Sequence, residues 1–308
     1  MAKQILSFGE LLWDILPNQT VLGGAPFNFA YRINSLGDQG LFAGSLGRDE
    51  LGDKAYNKVI SLGIDPTFLQ RHPTFPTGTV DVTFDKDHMP DYVINPGVAY
   101  DYIQLTKDLL DAASHVECLC YGTLIQRAAE SRHTLFALID HASDAVKFLD
   151  INLRKDCFSK ETIHYSLKSA NILKLNDAEV LQLRDILELN FDTFPVFCHL
   201  LTKEYNLDYV LITLGKFGAF AHSFFGEEVY IPGYQIELAD SLGSGDAFSA
   251  GFVHNILAGN SLETACELGN ALGALVATTP GATAPVLQDD ITHFLNTEPK
   301  RLYHPEFV

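Results

Sequence analysis

The stretch DSLGSGDAF contains two aspartates separated by a short run that is rich in small residues. Gly243, Ser244 and Gly245 lie between Asp240 and Asp246, and an apolar, helix-like run follows directly. Backbone N–H groups at a helix N-terminus, together with the helix dipole, form a natural anion site. Asp246 would lie in that field, either as an ordinary first-turn acid that caps the helix or as an acid acting beside a bound anion. The stretch alone leaves both interpretations open.

Further short polar side chains follow other predicted strands. They are Asp14 in GELLWD, Asn28 after a Gly23–Gly24 turn, Asp150, Asn152 and Arg154 in DINLR, and Asn176 and Glu179 in LNDAEV. Each of them taken singly is more typical of a loop cap than of a ligand. Ligands of open α/β sheets bind at the carboxyl ends of strands. Together these groups would therefore offer hydroxyl acceptors, ligands for metal-bound water and one cation at a single sheet edge.

Two common nucleotide motifs are missing from the sequence. It contains neither GxxxxGK[ST], the P-loop signature, nor GxGxxG after the first predicted strand. The glycines cluster instead in LGGAPFN, TLGKFGA and LGSGDAF, each at the entry to a predicted helix or turn. A P-loop enzyme and a Rossmann dehydrogenase are thereby excluded.

The elements that must position these residues alternate along the chain. ILSFGELLWDIL (5–16) is predicted as one strand, and the later runs QGLFAGSLG, VECLCYG, AVKFLDIN, ANILKLN and YVLITLG as buried strands with helices between them. Such alternation predicts a mostly parallel sheet with helices on both faces. The segment 77–95 differs, because Val80, Val82 and Phe84 alternate with polar residues; it predicts a half-exposed hairpin outside that sheet, with its turn near Asp85–Met89.

The amino-acid composition limits the classes of partner that the chain could bind. The chain has 308 residues, of which 47% are hydrophobic, and 39 acidic against 21 basic side chains. The acidic excess argues against a nucleic-acid partner, and no apolar run is long enough for a membrane helix. Five scattered cysteines show neither zinc nor disulfide spacing and favour a reducing compartment. A cytoplasmic protein without a signal peptide is the prediction.

The ordered set of motifs resembles the ribokinase-like (PfkB) carbohydrate kinases, and within them most closely the bacterial fructokinases. The motifs that match in order and spacing are GELLWD…LGGAPFNFA, YGTLIQR, DINLR, KLNDAEV, TLGKFGA, DSLGSGDAF and NALGALVATTPGA. The resemblance implies a three-layer α/β/α fold with a mostly parallel central sheet. It also implies one kinase domain, 1–308, with a small β-strand lid formed by about 11–23 and 75–103.

The resemblance also implies roles for individual residues. Asp246 matches the catalytic base, and the N–H groups of Gly243, Ser244 and Gly245 match the anion hole. The residues implied to contact the sugar are Asp14, Gly24, Asn28, Arg154 and Asp246. The residues implied to bind the nucleotide are Asn176, Thr213, Gly215, Gly218, Gly245 and Asn270. Asn176 and Glu179 match the motif that organises magnesium-bound waters, and Asp240, with the turn 280–282, matches a monovalent-cation site, usually for potassium.

The implied reaction is transfer of the γ-phosphoryl group of ATP, with Mg²⁺, to a neutral hexose. Fructose is favoured, with fructose 6-phosphate as product, because GELLWD, YGTLIQR and VAYDYI resemble the fructokinases. The lid segment 77–103 holds Lys86 and no arginine, which counts against an anionic substrate. A 2-keto-3-deoxygluconate kinase, a ribokinase and a non-catalytic sugar-sensing relative are the alternatives. The motif that is common in this family, DTxGAGD, reads DSLGSGD here. Because Leu242 and Ser244 depart from it, the sequence does not decide whether the cation site is kept. A homodimer through the lid and a monomer are both compatible with the sequence.

Overall fold

Strands and helices alternate along the computed structural model, which describes residues 2–16, 19–84 and 90–308. The strands are β1 Gln4–Phe8, β2 Leu12–Leu16, β3 Gln19–Gly23, β4 Gln39–Gly47, β5 Leu69–His72, β6 Gly78–Phe84, β7 Pro90–Ile94, β8 Cys118–Tyr121, β9 Val146–Asp150, β10 Ile172–Asn176, β11 Tyr209–Thr213, β12 Gly218–Ser223, β13 Glu228–Tyr234 and β14 Arg301–Leu302. The helices are α1 Ala25–Ser35, α2 Glu50–Ser61, α3 Lys107–Ala113, α4 Ala129–His141, α5 Lys160–Ser169, α6 Asp177–Leu187, α7 Phe194–Tyr205, α8 Ser244–Leu257, α9 Leu262–Ala277 and α10 Gln288–Asn296.

The central sheet has the strand order β14-β13-β12-β11-β10-β9-β8-β1-β4-β5. The strands from β5 to β11 pair in parallel, and β12, β13 and β14 add an antiparallel edge. Apart from the edge strand β5, the parallel strands are largely buried on both faces, as their apolar runs predict. This confirms the predicted mostly parallel sheet, and it brings the carboxyl ends of β1, β8, β9, β10 and β11 to one edge.

Two helical layers cover the sheet. One apolar cluster joins one face to α3, α4, α5, α6 and α7, with Leu135, Ile163 and Phe197 fully buried. A second cluster joins the opposite face to α1, α8, α9 and α10, with Ile33 and Phe252 fully buried. The three-layer α/β/α architecture is therefore confirmed.

A second, smaller sheet lies outside the central one. Its strand order is β3-β2-β6-β7, and β6 and β7 pair antiparallel as the alternating pattern of this segment predicts. Val80 is buried and Asp81 is exposed, which agrees with the predicted two-faced strand. The predicted turn at Asp85–Met89 lies outside the described residues. We call these four strands the small sheet.

The prediction of one strand over 5–16 is wrong. The segment forms β1 of the central sheet and β2 of the small sheet, and the chain changes sheet between Phe8 and Leu12. At Gly9 the N–H still donates to the Ala43 carbonyl, but a Cβ there would lie 2.5 Å from Cγ of Pro26. Both strands are apolar, so the pattern could not separate them. Asp14 accordingly lies within the small sheet and not after the first strand.

An internal ion pair anchors the small sheet to the helical layer. Arg127 pairs with Asp101 at 2.8 Å, and its guanidinium also donates to the backbone carbonyls of Ile94 and Asn95, where β7 ends. Both charged side chains are largely buried, so the pair has little competition from water. The position where the chain leaves the small sheet is therefore fixed.

All five cysteines are free and buried. No helix in the described part of the chain is long and apolar enough to cross a lipid bilayer. The division into one domain with a lid of 11–23 and 75–103 stays a prediction.

Candidate active site

The start of α8 is built around Gly243. This residue is the N-cap with φ of 76°, a left-handed conformation that favours glycine, and a Cβ there would lie 2.5 Å from Cβ of Ala282. The first helical residues are then Ser244, Gly245 and Asp246, and no described side chain caps the helix. Asp246 is therefore a first-turn acid of α8, as one interpretation predicts, but it is not the N-cap. Its carboxylate accepts instead a hydrogen bond of 2.8 Å from Nδ2 of Asn28.

The start of α1 delivers Asn28 to that position. Gly24 is the N-cap, with φ of 125°, and a Cβ there would lie 2.3 Å from the carbonyl oxygen of Glu10. The Glu10 carboxylate accepts a hydrogen bond of 3.3 Å from the N–H of Ala25 and so satisfies one free donor of the helix. Asn28 then lies one turn into α1, facing the start of α8. Glycine at position 24 thus allows the close approach that joins β1, α1 and α8.

A buried network lies beneath the turn 243–245. Nζ of Lys174 contacts both carboxylate oxygens of Asp150 at 3.1 Å, and Oγ of Ser249 donates to Asp150 at 2.9 Å. A Cβ at Gly245 would lie 3.1 Å from the same Nζ. The ammonium group therefore lies directly under the turn, and its partner Asp150 lies between Lys174 and α8.

The acidic groups on the β1 side of α8 titrate at unusual pH. Burial, and then the negative charge of Asp150, raise the pKa of Asp246 to about 6. Burial raises the pKa of Glu10 to about 7, and burial also raises the pKa of Asp14. The positive charge of Arg154 acts on all three carboxyls and lowers each pKa. The predicted residues Asp14, Asn28, Arg154 and Asp246 are thus close enough to interact, with Glu10 among them.

A carboxyl group with a pKa near 6 is suited to proton transfer. It is ionised at neutral pH, and it holds a proton more strongly than an ordinary aspartate does. An aspartate with its usual pKa would be a weak base for a sugar hydroxyl. The environment of Asp246 therefore agrees with the implied role of catalytic base, which stays a prediction.

On the other side of α8 lies a cavity of about 650 Å³. The six residues predicted to bind nucleotide, Asn176, Thr213, Gly215, Gly218, Gly245 and Asn270, all line it. Tyr234, Ile236, Leu238, Phe248 and Leu302 supply apolar wall, and Ser244 also faces it. The volume is that of a site for a drug-sized or nucleotide-sized ligand.

Three of the predicted residues already bind backbone groups. Nδ2 of Asn270 donates to the carbonyl of Pro232 at 2.9 Å. Asn176 and Glu179 form a capping box at the start of α6: Oδ1 of Asn176 accepts from the N–H of Glu179, and the Glu179 carboxylate accepts from the N–H groups of Asn176 and Leu153. Burial raises the pKa of Glu179. The magnesium role of this pair therefore stays a prediction.

Asp240 connects two turns. Its carboxylate accepts a hydrogen bond of 3.0 Å from the N–H of Leu242 and one of 3.1 Å from the N–H of Gly281. The predicted partner of Asp240, the turn 280–282, therefore does lie against it. The cation role of Asp240 stays a prediction.

Sequence reasoning missed Lys174 and Glu10. A single lysine inside the apolar strand ILKLN was a visible signal, because an unpaired buried ammonium is costly and needs a partner. Glu10 directly follows the sharp departure of the chain from β1. No pattern around it distinguishes a buried carboxyl from an exposed one.

Taken together, the mostly parallel sheet has three features at its carboxyl edge: a glycine turn, a carboxylate with a raised pKa and a nucleotide-sized cavity. This combination defines a small-molecule kinase. A model of the pfkB family carbohydrate kinases matches residues 7–289, and the chain belongs to this family.

Individual relatives agree with this assignment. The chain is 28% identical to the fructokinase of Escherichia coli over 306 residues, which cover 92% of this chain and 95% of that protein. Among solved structures, the fructokinase of Xylella fastidiosa with bound ATP has a TM-score of 0.86 at 21% identity, covering 97% of this chain and 99% of that chain. The fructokinase of Vibrio cholerae with fructose, ADP and calcium has a TM-score of 0.81 at 22% identity, covering 95% and 99%. At these identities the structural matches confirm the fold.

Proposed function

We propose that this protein is an ATP-dependent fructokinase that converts fructose to fructose 6-phosphate. The observation that carries the proposal is the position of Asp246. Its carboxyl group, with a pKa of about 6, lies at the start of α8 between a polar cluster on one side and the nucleotide-sized cavity on the other. Relatives named as fructokinases over nearly the whole chain support fructose as the acceptor.

The charge of the polar cluster favours a neutral sugar. Glu10, Asp14 and Asp246 supply three carboxyl groups, and the guanidinium of Arg154 acts on all three. A substrate that carries a carboxylate or phosphate would be repelled there, which counts against a 2-keto-3-deoxygluconate kinase. We assign Asp14, Asn28 and Arg154 to the sugar hydroxyls, with Gly24 holding the start of α1.

In the proposed reaction the sugar hydroxymethyl oxygen attacks the γ-phosphorus of ATP. Asp246 orients that hydroxyl and accepts its proton as the O–P bond forms and the bond to ADP breaks. Phosphoryl transfer is catalysed mainly by positioning and by stabilisation of charge on the phosphoryl oxygens. The N–H groups of Gly243, Ser244 and Gly245, at the positive end of α8, supply donors for that charge.

A divalent cation, most simply Mg²⁺, would accompany ATP at the rim of the cavity. The oxygen groups of Asn176 and Asp177 line this rim, and oxygen ligands and bound waters are what Mg²⁺ prefers. Such a cation neutralises phosphate charge. Glu179 holds the start of α6, and through it the position of Asn176.

The small sheet is proposed as the lid over the sugar. Asp14 lies in β2, so the small sheet contributes directly to the polar cluster. A cytoplasmic location and pairing of two lids in a homodimer stay predictions.

A coupled assay of ADP release tests the proposal. Fructose, ribose and 2-keto-3-deoxygluconate are each supplied with ATP and Mg²⁺, and the product is identified by its phosphate position. Fructose should give by far the highest kcat/KM. Binding of fructose without ADP release would favour the sugar-sensing alternative, and a preference for the keto acid would contradict the charge argument.

A further inference from the structure

Arg32 is a fully buried arginine at the base of the proposed anion hole. It lies on α1 one turn after Asn28, and the solvent exposure of its side chain is 0%. Nη2 donates a hydrogen bond of 2.6 Å to the carbonyl of Ala282. Nε and Nη1 have no hydrogen-bond partner among the residues that the structure describes. One face of α1 thus presents Asn28 to Asp246 and Arg32 to the turn 280–282.

The Ala282 carbonyl connects Arg32 to the anion hole. A Cβ at Gly243 would lie 2.5 Å from Cβ of Ala282 and 3.2 Å from the same carbonyl oxygen that Arg32 binds. Gly243 is the N-cap of α8, so its position sets the direction of the first N–H groups of that helix. A shift of Ala282 would therefore move the donors that the phosphoryl group needs.

The two buried cations in this region, Arg32 and Lys174, differ in whether a carboxylate balances their charge. Lys174 is paired with Asp150, which balances its charge. Arg32 has no carboxylate within 4.0 Å in the described ranges, and it packs on the ring of Tyr31 with Cζ 5.1 Å from the ring centre. Burial lowers the pKa of Arg32, and the charges of Tyr31 and Asp246 oppose this, but a guanidinium stays charged in proteins.

An unpaired buried cation is costly in the resting protein. That cost falls when negative charge gathers nearby, and phosphoryl transfer brings such charge to the start of α8. An interaction that is stronger in the transition state than in the ground state raises kcat. In the proposed reaction Arg32 would make such an interaction, because the turn that it supports packs against Gly243 at the anion hole.

We propose that Arg32 is a positioning residue for phosphoryl transfer, and that its guanidinium is the resident positive charge of the turn that supports the anion hole. This rests on the proposed kinase function. It also bears on the monovalent cation that the resemblance implies at Asp240. The Ala282 carbonyl of that turn already binds a cationic group of the protein, whose positive charge would repel a monovalent cation bound to the same turn, so the turn does not require one.

The test compares Arg32→Met, Arg32→Lys and the control Arg71→Met. Arg71 also donates to a backbone carbonyl, that of Gly47, and packs on the ring of Tyr56, but it lies on β5, the edge strand of the central sheet. Arg32→Met should lower kcat about tenfold to a thousandfold, as loss of an anion-hole donor does, with a small change in KM for fructose. Arg32→Lys should recover much of that loss, and Arg71→Met should retain kcat.

Two outcomes of this comparison would overturn the proposal. One is unchanged kcat in Arg32→Met, and the other is an equal loss in Arg32→Lys and Arg32→Met at equal folded fraction. The second outcome would show that Arg32 is merely structural.

A second readout does not depend on turnover. The melting temperature of the wild type should be the same in potassium chloride and in tetramethylammonium chloride at equal ionic strength, because no potassium ion is needed. A potassium-specific rise would show a bound cation and overturn the proposal, even if Arg32→Met fails to fold. Absence of ADP release by the wild type would instead overturn the proposed kinase function and leave this measurement to decide on Arg32.

Discussion

The two sides of the start of α8 are built in opposite ways. The β1 side is a polar cluster of charged side chains, in which Glu10 and Asp246 have raised pKa values and Arg154 acts on both. The other side is a cavity of about 650 Å³, much of it lined by glycines, alanines and apolar walls. The same helix N-terminus serves both sides.

The difference teaches where specificity and chemistry arise. On the cluster side, individual side chains set charge and proton affinity, so one substitution should change rate and pH dependence. On the cavity side, shape and backbone donors hold the ligand, so one substitution should change affinity modestly. Substitutions on the cluster side and on the cavity side of α8 test this difference.

Replacing Asp246 by asparagine should have the largest effect. The amide keeps the size of the side chain but cannot accept the proton, so kcat should fall by about 10²- to 10⁴-fold. The folded fraction, followed by circular dichroism, should stay unchanged. A coupled ADP-release assay measures the rate, and a variant with wild-type kcat would remove Asp246 from the mechanism.

Replacing Lys174 by methionine should chiefly lower stability. It leaves the buried carboxylate of Asp150 without its ion-pair partner, and such a loss costs about 3–5 kcal/mol of unfolding free energy. Lys147→Met is the matched control, because Lys147 lies in β9 and its ammonium donates to an exposed backbone carbonyl. Urea denaturation compares the two. Equal free energies of unfolding for the two variants would mean that the Lys174–Asp150 ion pair does not stabilise the protein.

The pH dependence of kcat/KM for fructose should follow Asp246. The carboxylate is the active form, so the rate should fall as pH drops through about 6. Because Glu10, with a pKa of about 7, is mostly protonated at pH 6, Glu10→Gln should leave the midpoint almost unchanged. A midpoint near 4, the ordinary value for an aspartate, would contradict the described environment.

The raised pKa of Glu10 also predicts how the stability of the protein depends on pH. Its pKa in the folded protein, about 7, lies above the ordinary glutamate value of 4.5, so the folded state binds more protons between these values. The unfolding free energy should therefore decrease as pH rises from about 4.5 to about 7. Chemical denaturation at several pH values measures this slope, which should be weaker in Glu10→Gln. A slope unchanged in that variant would assign it to another group.

On the cavity side, Asn270→Ala should have the smallest effect. It removes one hydrogen bond to the Pro232 carbonyl, worth about 0.5–1.5 kcal/mol, and so should raise KM for ATP a few-fold with kcat nearly unchanged. Steady-state kinetics with varied ATP checks this. A large loss of kcat would mean that the cavity side takes part in chemistry as well.

The cavity side could be predicted well from the sequence. Asn176, Thr213 and Gly215 lie at or just after the ends of parallel strands, which meet at one edge whatever the details of packing, whereas Gly245 and Asn270, in α8 and α9, were implied by the family resemblance. All six predicted nucleotide residues therefore line one cavity. The alternating strand and helix pattern likewise predicted the three layers.

The cluster side could be predicted only in part. Asp14, Asn28 and Asp246 were visible as short polar groups, but the contributions of Glu10, Lys174 and Arg32 depend on burial. Burial is decided by which helices pack together, here α1 against α8, and a local pattern does not contain that information. For the same reason, the apolar run 5–16 could not reveal that it is divided between two sheets.

The most direct test of the contrast measures binding and transfer separately in Asp246→Asn. Calorimetry gives the affinity for fructose, and a single-turnover experiment with ATP gives the rate of phosphoryl transfer. If Asp246 acts as the base between the two sides, fructose should bind within a few-fold of the wild type while transfer nearly stops. Transfer at the wild-type rate, or a loss of transfer that is fully explained by loss of fructose binding, would contradict the account.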